Sequence, residues 1–117
     1  MSKFCICYIS DYNYSKHLLV SIKSLRETNK KIPIYIFHLN FPKKLIYKLQ
    51  NSDLNLRLIK IDINKLKLIK SRNKIFFYRF FCPKILKSFK KILYIDLDTV
   101  IVGNLNSVFN YDLKNYP

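Results

Sequence analysis

Segments with the pattern of a β-strand alternate with segments with the pattern of a helix along almost the whole chain, and this order restricts the fold more than any other feature. Strands are predicted at residues 4–10, 33–40, 56–61 and 92–95. Helices are predicted at residues 18–29, 43–51 and 75–86, with a short helical piece inside the loop-like segment 62–74. Strands that are joined by helices pair in parallel, and the helices cover the sheet. We therefore expect an α/β fold, with a mainly parallel sheet and helices on both faces.

The length and the apolar content of the chain limit it to one core. It has 117 residues, half of which are apolar, so residues 1–117 are expected to fold as a single domain. The run IFFYRFFCPKIL at residues 75–86 predicts a buried helix within that core. We expect this helix to be interrupted near Pro83, because proline lacks the backbone donor that a helix interior requires.

Two further features bear on where the protein works. Cys5, Cys7 and Cys82 lack the paired spacing of a zinc site, and we expect them to be core thiols in a reducing compartment. No stretch of the sequence approaches the ~20 apolar residues that a membrane span needs. We therefore expect a cytoplasmic protein.

Acidic residues follow two of the predicted strands. Asp96 and Asp98, two of only seven acids, come directly after the fourth strand, which we expect to be buried, and Asp11 follows the first. Because the carboxyl ends of parallel strands share one edge of a sheet, we expect these carboxylates to lie together there, with Arg79 nearby. Paired carboxylates suit Mg²⁺ or Mn²⁺, whose remaining ligands are water and substrate phosphates. The alternative is that both aspartates are solvated turn residues.

The chain is strongly basic, with 22 lysines and arginines and a formal net charge of +15. This charge favours an anionic partner such as a nucleotide, a nucleic acid or a membrane surface. Most lysines fall between apolar positions and are expected to form a solvated face, with peripheral membrane contact through it as a further option. The only glycine is Gly103, which excludes glycine-rich phosphate loops, because these need several positions without a Cβ atom.

Three segments carry a family resemblance when they are taken in order. They are CYISDYNYSKHLLVSIKSL at residues 7–25, FFYRFFCPKIL at residues 76–86 and ILYIDLDTVIVGNL at residues 92–105. They resemble, respectively, the opening strand with its D-x-N-Y nucleotide loop, the Y-x-R-L helix and the metal-binding D-x-D segment of glycosyltransferase family 8. This is the family of glycogenin and of bacterial lipopolysaccharide glucosyl- and galactosyltransferases. The match extends from about Phe4 to Leu113.

The resemblance implies a GT-A-like fold and retaining transfer of a hexosyl group from a UDP-sugar donor to a sugar or glycan acceptor. It implies that Asp96 and Asp98 bind Mn²⁺ or Mg²⁺, which in turn holds the donor diphosphate. Asp11 and Asn13 would hydrogen-bond the edge of the uracil, a task that suits a fixed acceptor and an amide. Tyr14 would pack against the nucleoside. The alternatives are turn formation and helix capping for Asp11 and Asn13, and core packing for Tyr14.

The same resemblance gives Arg79 a role at the phosphate or sugar end of the donor, so that Arg79, Asp96 and Asp98 are the residues expected to act in catalysis. A guanidinium on a buried helix requires an anionic partner, which a donor could provide. An interior ion pair with Asp96 or Asp98 is the alternative.

The sequence also departs from the family pattern. Family members supply a histidine as a third metal ligand, a lysine near the phosphates and most of the acceptor pocket from later segments, whereas 19 residues follow Asp98 here. His17 and His38 fall in helix and strand patterns, and we expect both to be ordinary core or surface residues. The chain is thus expected to match only the N-terminal nucleotide-sugar-binding half, a GT-A domain truncated on its C-terminal side. We expect little activity from it alone unless a second chain completes the site.

Two other functions are consistent with parts of the sequence. The positive charge and the aromatic residues suit a basic module that binds nucleic acid, although the aromatics cluster in apolar runs that are typical of a core. DLDTV at residues 96–100 also fits the opening motif of haloacid-dehalogenase-type phosphatases. That chemistry needs further downstream residues around the same Mg²⁺, and Asp112 is the only acid that follows the motif.

Overall fold

Four strands form one parallel sheet in the computed structural model, which describes residues 3–110. The strands are β1 (Phe4–Asp11), β2 (Ile34–Leu39), β3 (Leu56–Lys60) and β4 (Lys91–Tyr94). Their order across the sheet is β3-β2-β1-β4, and each neighbouring pair is parallel. Isoleucine, tyrosine and phenylalanine dominate β1 and β2, and these residue types pack well on a pleated surface. The predicted parallel sheet is confirmed.

Six helices are described between and after the strands. They are α1 (Ser15–Thr28), α2 (Lys43–Gln50), α3 (Ile63–Lys67), α4 (Lys74–Tyr78), α5 (Cys82–Ile85) and α6 (Asn106–Phe109). Short 3₁₀ turns occupy Tyr12–Tyr14 and Arg79–Phe81. No helix in the described residues is both long enough and apolar enough to span a membrane.

Both faces of the sheet are covered, as predicted, because successive side chains of a strand point to opposite sides. Ile6 and Tyr8 of β1 belong to a buried cluster that includes side chains of α1 and α2. Cys5, Cys7 and Ile9 belong to a second cluster that includes side chains of α4 and α5. The expected burial of the cysteines is confirmed, since Cys5, Cys7 and Cys82 are free thiols in this second cluster.

The segment 75–86 differs from the buried helix that was expected. The predicted interruption near Pro83 is present, because α4 ends at Tyr78 and a 3₁₀ turn follows before Pro83 enters the first turn of α5. Proline suits that position, where its missing donor would be unpaired in any case. Tyr78 is buried, but Phe76 and Phe80 are 42% and 62% exposed. The segment is therefore amphipathic, and the helix that was expected to be buried is buried on one side only.

The sheet has a reversal of strand order at β1. From β1 the chain moves outward to β2 and β3, and it then returns to place β4 on the other side of β1. Tyr94, the last residue of β4, pairs with Cys7, so β1 continues beyond β4 as far as Asp11. The four residues of β4 are half-buried, and not fully buried as expected, because β4 lies at the edge of the described sheet. The reversal of strand order at β1 creates a crevice of the kind in which α/β sheets commonly bind ligands.

Candidate functional site

A cleft of about 780 Å³ opens at the carboxyl edge of the sheet, next to the reversal of strand order. Its volume lies within the range of roughly 300–1,000 Å³ that small-molecule sites occupy. Asp11, Asp96 and Asp98 all line it. The predicted meeting of these carboxylates from two distant parts of the chain is therefore confirmed.

Asp11 stands at the end of β1 and caps the 3₁₀ turn that follows. Its Oδ1 atom accepts a hydrogen bond from the backbone N–H of Tyr14 at 3.1 Å, so the predicted capping role is present. Tyr14 also lines the cleft, and it is 54% exposed, so the alternative of a core tyrosine is wrong. Asn13 is exposed but is not part of the cleft wall. The nucleotide-binding roles of these three residues stay predictions.

The loop after β4 presents Asp96 and Asp98 to solvent. Leu97, between them, is half-buried and packs against the apolar cluster beneath α1. The backbone of the loop is held as well, because the Thr99 hydroxyl donates to the carbonyl oxygen of Asp96 at 2.7 Å. The anchored leucine and carbonyl leave both aspartates on the exposed side of the loop.

Helix α1 holds the segment that continues from this loop. The Ser24 Oγ atom accepts a hydrogen bond from the backbone N–H of Ile101 at 2.9 Å. The Asn29 amide donates to the carbonyl of Gly103 at 3.0 Å, and its Oδ1 atom accepts from the N–H of Leu105 at 2.8 Å. The polar side of α1 is therefore a support for the chain that follows the two aspartates.

Tyr94 separates the cleft from a smaller cavity of about 310 Å³ that Arg79 lines. Burial, followed by the charge of Asp96, raises the pKa of Tyr94 to about 12, although Arg79 acts in the opposite direction. The phenol is therefore protonated throughout the neutral and mildly alkaline range.

Arg79 departs from the expected grouping, because it borders the smaller cavity and not the cleft. Its guanidinium carbon lies 4.1 Å from the ring centroid of Phe76 and 5.2 Å from that of Phe80. Contacts of this kind stabilise a cation over an aromatic face. Within residues 3–110, the contacts found for this guanidinium are with aromatic rings, so the alternative of an ion pair with Asp96 or Asp98 is not present. The 3₁₀ turn that begins at Arg79 and its aromatic neighbours account for this placement.

Comparison with known proteins identifies the family to which this protein belongs. The family model described as "Glycosyl transferase family 8" matches residues 5–117. The chain belongs to this family.

Individual relatives agree with the family assignment. The glycosyltransferase GlyA of Streptococcus pneumoniae serotype 4 is 30% identical over 120 residues, an alignment that covers 98% of this chain and 17% of GlyA. The glycosyltransferase GlyE of the same organism is 27% identical over 128 residues, covering 98% of this chain and 30% of GlyE.

A solved structure shows the same fold. The galactosyltransferase LgtC, crystallised with donor and acceptor sugar analogues, superposes with a TM-score of 0.79 at 18% identity, covering 94% of this chain and 43% of LgtC. The family 8 chain thus spans less than half the length of each of these three relatives.

Several residues that line the cleft were not predicted for it. Arg72, Asn73 and Lys74 come from the loop before α4 and the first residue of that helix, and His17 comes from the first turn of α1. His17 is exposed, and its ring lies 5.8 Å from that of Tyr14. In parallel α/β units the helices begin near the carboxyl ends of the strands. This rule was a usable signal for His17, whereas the irregular pattern of segment 62–74 gave none for the other three.

The donor set in the cleft fits a hard divalent cation of the type that the family implies. Within residues 3–110, no group of three or more His, Cys, Asp or Glu side chains is arranged to hold a metal ion. Mg²⁺ is commonly bound through only one or two carboxylates, with water and substrate phosphates as its other ligands. Asp96 and Asp98 are exposed carboxylates on one short loop, which matches that requirement.

Proposed function

We propose that this family 8 chain binds a UDP-sugar in the 780 Å³ cleft with Mn²⁺ or Mg²⁺, for retaining transfer of a hexosyl group to a sugar or glycan acceptor. The observation that carries the proposal is the convergence of Asp11, Asp96 and Asp98 on one cleft at the reversal of strand order. The crystallisation of LgtC with donor and acceptor sugar analogues supports a sugar donor and a sugar acceptor for a chain with the same fold. Family membership favours this function over nucleic-acid binding or phosphatase chemistry.

The phosphate end of the donor is assigned to the charged residues of the cleft. Asp96 and Asp98 would hold the divalent cation, which supplies neutralisation of diphosphate charge and support for its departure as a leaving group. Arg72 and Lys74 line the same cleft and provide positive charge that the diphosphate can contact directly. The cleft therefore offers both direct and cation-mediated contacts to an anion.

The uridine end is assigned to the turn that follows β1. Asp11 can accept from the uracil edge while its Oδ1 atom continues to cap the turn, and Asn13 lies two residues further on. Tyr14 offers an exposed ring at the cleft, and His17 lies beside that ring. An exposed aromatic ring is a suitable surface for stacking a base or a ribose.

Arg79 is assigned to the sugar end of the donor, on the far side of Tyr94. Its side chain would have to leave Phe76 and Phe80 to reach the cleft. Such aromatic contacts contribute about 0.5–1 kcal/mol at exposed sites, which a charge-assisted hydrogen bond to a donor can replace.

The test is calorimetric titration of the chain with UDP, in Mn²⁺ and in EDTA. We expect UDP to bind at least about tenfold more tightly with Mn²⁺, and Asp98→Asn to remove most of that difference. Asp53→Asn is the matched control, because Asp53 is an exposed aspartate in the turn before β3, at the opposite end of the sheet from the cleft. Equal affinity in Mn²⁺ and EDTA, or equal affinity for UDP, CDP and ADP, would refute the proposal.

A further inference from the structure

A chain of three hydroxyl groups connects the core of the sheet to the loop that carries Asp96 and Asp98. The Tyr8 hydroxyl lies 2.7 Å from Ser21 Oγ, and Ser21 Oγ lies 3.1 Å from Thr99 Oγ1. The Thr99 hydroxyl then donates to the carbonyl oxygen of Asp96 at 2.7 Å. Tyr8 and Ser21 are completely buried, while Thr99 is half-buried at the surface end of the chain.

The direction of every hydrogen bond in this chain follows from its last member. A carbonyl oxygen can only accept, so Thr99 uses its single hydroxyl hydrogen on Asp96. Thr99 must then accept from Ser21, and Ser21, whose hydrogen is now used, must accept from Tyr8. Each of the three hydroxyls therefore donates once, and Ser21 and Thr99 also accept once, an arrangement in which successive hydrogen bonds polarise and strengthen one another.

Other contacts already attach the segment after Asp98 to the rest of the protein, so the hydroxyl chain is not required for that attachment. Ser24 of α1 and Asn29, which follows that helix, already bind that segment at Ile101, Gly103 and Leu105. The contact from Thr99 is different because it fixes the backbone at Asp96 itself. Together with Leu97, it restricts the part of the loop from which both carboxylates project.

We propose that Ser21 and Thr99 are positioning residues of the cation site: the Tyr8–Ser21–Thr99 hydroxyl chain holds the Asp96 backbone so that both carboxylates are ordered before cation and donor bind. The proposal rests on the proposed function, since it concerns how the cleft binds cation and nucleotide. A loop that is ordered in advance loses less conformational freedom on binding, and this raises affinity without any new contact. Groups that orient metal ligands from behind commonly change metal affinity by about 10- to 100-fold when they are replaced.

The experiment compares two substitutions of Thr99 that differ in the hydroxyl group. Thr99→Val keeps the branched shape and removes the hydroxyl, whereas Thr99→Ser keeps the hydroxyl. For each variant, the dissociation constant of UDP is measured by calorimetry in EDTA and in Mn²⁺. The constant in EDTA divided by the constant in Mn²⁺ is the ratio that reports the cation contribution. We expect Thr99→Val to lower the ratio about tenfold, and Thr99→Ser to hold it within about twofold of the wild-type value.

Two substitutions in α1 extend the comparison. Ser21→Ala removes the central hydroxyl of the Tyr8–Ser21–Thr99 hydroxyl chain, and we expect it to lower the ratio as Thr99→Val does. Ser24→Ala is the matched control. The Ser24 hydroxyl lies on the same helix, where it accepts from the N–H of Ile101 and donates to the carbonyl oxygen of Ser21, but it bonds to none of the three hydroxyls. This control variant should leave the ratio unchanged even where thermal unfolding shows a loss of stability. If Ser21→Ala does not fold, the Thr99 pair decides the question, since Thr99 lies on the surface loop.

The outcomes separate this inference from the proposed function. A wild-type ratio near one refutes the proposed function, and the positioning role is refuted with it. A wild-type ratio of about ten or more that is unchanged in Thr99→Val refutes the positioning role alone. An equal fall of the ratio in Ser24→Ala and Thr99→Val also refutes it, because general loosening of α1 would then explain the effect.

Discussion

Asp11 has a structural task in the fold beside the chemical task that we propose for it. Its carboxylate caps the turn that follows β1, and the same turn places Tyr14 at the cleft. Capping by an aspartate typically contributes about 1 kcal/mol, so a substitution at Asp11 disturbs the turn as well as any ligand contact. The stability of Asp11→Ala should therefore be measured together with its affinity for UDP, so that a loss of binding can be distinguished from a disturbed turn.

His38 gives the protein a pH-dependent stability. It is buried at the end of β2, where burial, followed by the charge of Lys60, lowers its pKa below the ordinary value of 6.5. Below that value the unfolded chain binds a proton at His38 more readily than the folded chain does, so stability is lost as the pH falls. We expect the free energy of unfolding, measured with urea, to be lower at pH 5 than at pH 7.5.

His38→Phe is the diagnostic variant for this effect. The His38 ring stacks on Phe41 with centroids 5.1 Å apart, and a phenylalanine can keep that contact without titrating. The loss of stability between pH 7.5 and pH 5 should be smaller in the variant. If both proteins lose the same free energy over this range, other groups cause the dependence.

At the scale of elements, α1 supports the site through the asparagine that follows its last turn. Asn29 is buried, and its side chain bonds to Gly103 and Leu105 across the fold as well as to Leu25 in its own helix. We expect Asn29→Ala to reduce the free energy of unfolding by about 2 kcal/mol, because the N–H of half-buried Leu105 loses its acceptor and the carbonyl of Gly103 loses one of its donors.

Asn51 provides a control with the same local geometry. It follows α2 directly, and its side chain donates to the carbonyl four residues earlier, that of Tyr47, at 2.8 Å, but it is exposed. Asn51→Ala should therefore cost less than about 0.5 kcal/mol in the same urea experiment. Equal costs for the two substitutions would contradict the supporting role of Asn29.

The order of the main elements could be predicted from the sequence because each has a clear pattern. The β1, β2, β3, α1 and α2 segments have regular apolar spacing and polar or proline boundaries, and the structure places them within a few residues of the prediction. Helix α6 was not predicted, because four residues are too few to show helical periodicity. An interruption near Pro83 was predicted, but the 3₁₀ turn at Arg79–Phe81 was not, because a mainly apolar run gives no sign of the type of hydrogen bonding.

The candidate site was predictable in part for the same reason. Asp11, Asp96 and Asp98 each follow a strand with a strong pattern, and parallel topology then brings them to one edge. Arg72 and Lys74 lie in a segment where lysine, leucine and isoleucine alternate without a clear period, so their position relative to the sheet could not be predicted. The position of Arg79 depends on its aromatic neighbours in space, which a motif alone does not specify.

The whole molecule has a charge that suits its proposed ligand. A formal net charge of +15 attracts anions in general, and Arg72 and Lys74 bring part of that charge to the cleft. General attraction of this kind raises the rate of encounter more than it determines specificity. The negatively charged carboxylates of Asp11, Asp96 and Asp98 are therefore the groups that distinguish the cleft from the rest of the basic surface.

We expect the 117-residue chain to bind UDP but to turn over a sugar donor slowly. The chain spans 43% of LgtC, and within residues 3–110 no three His, Cys, Asp or Glu side chains are grouped to hold a metal ion. Holding both reactants in place can supply about 7 kcal/mol or more of a barrier, and an open cleft supplies little of that. Release of UDP from UDP-glucose and UDP-galactose should be measured with Mn²⁺, with and without sugar acceptors. Fast, acceptor-dependent release would contradict this expectation.

The central claim is that the cleft at the carboxyl edge holds a cation and a nucleotide together, and a crystal structure of the chain grown with UDP and Mn²⁺ tests it most directly. An anomalous difference map recorded at the manganese edge locates the cation independently of the nucleotide density. We predict one strong peak in contact with the carboxylates of Asp96 and Asp98, with the uridine extending toward Asp11 and Tyr14. Manganese away from these carboxylates, or UDP bound on the basic surface outside the cleft, would contradict the claim.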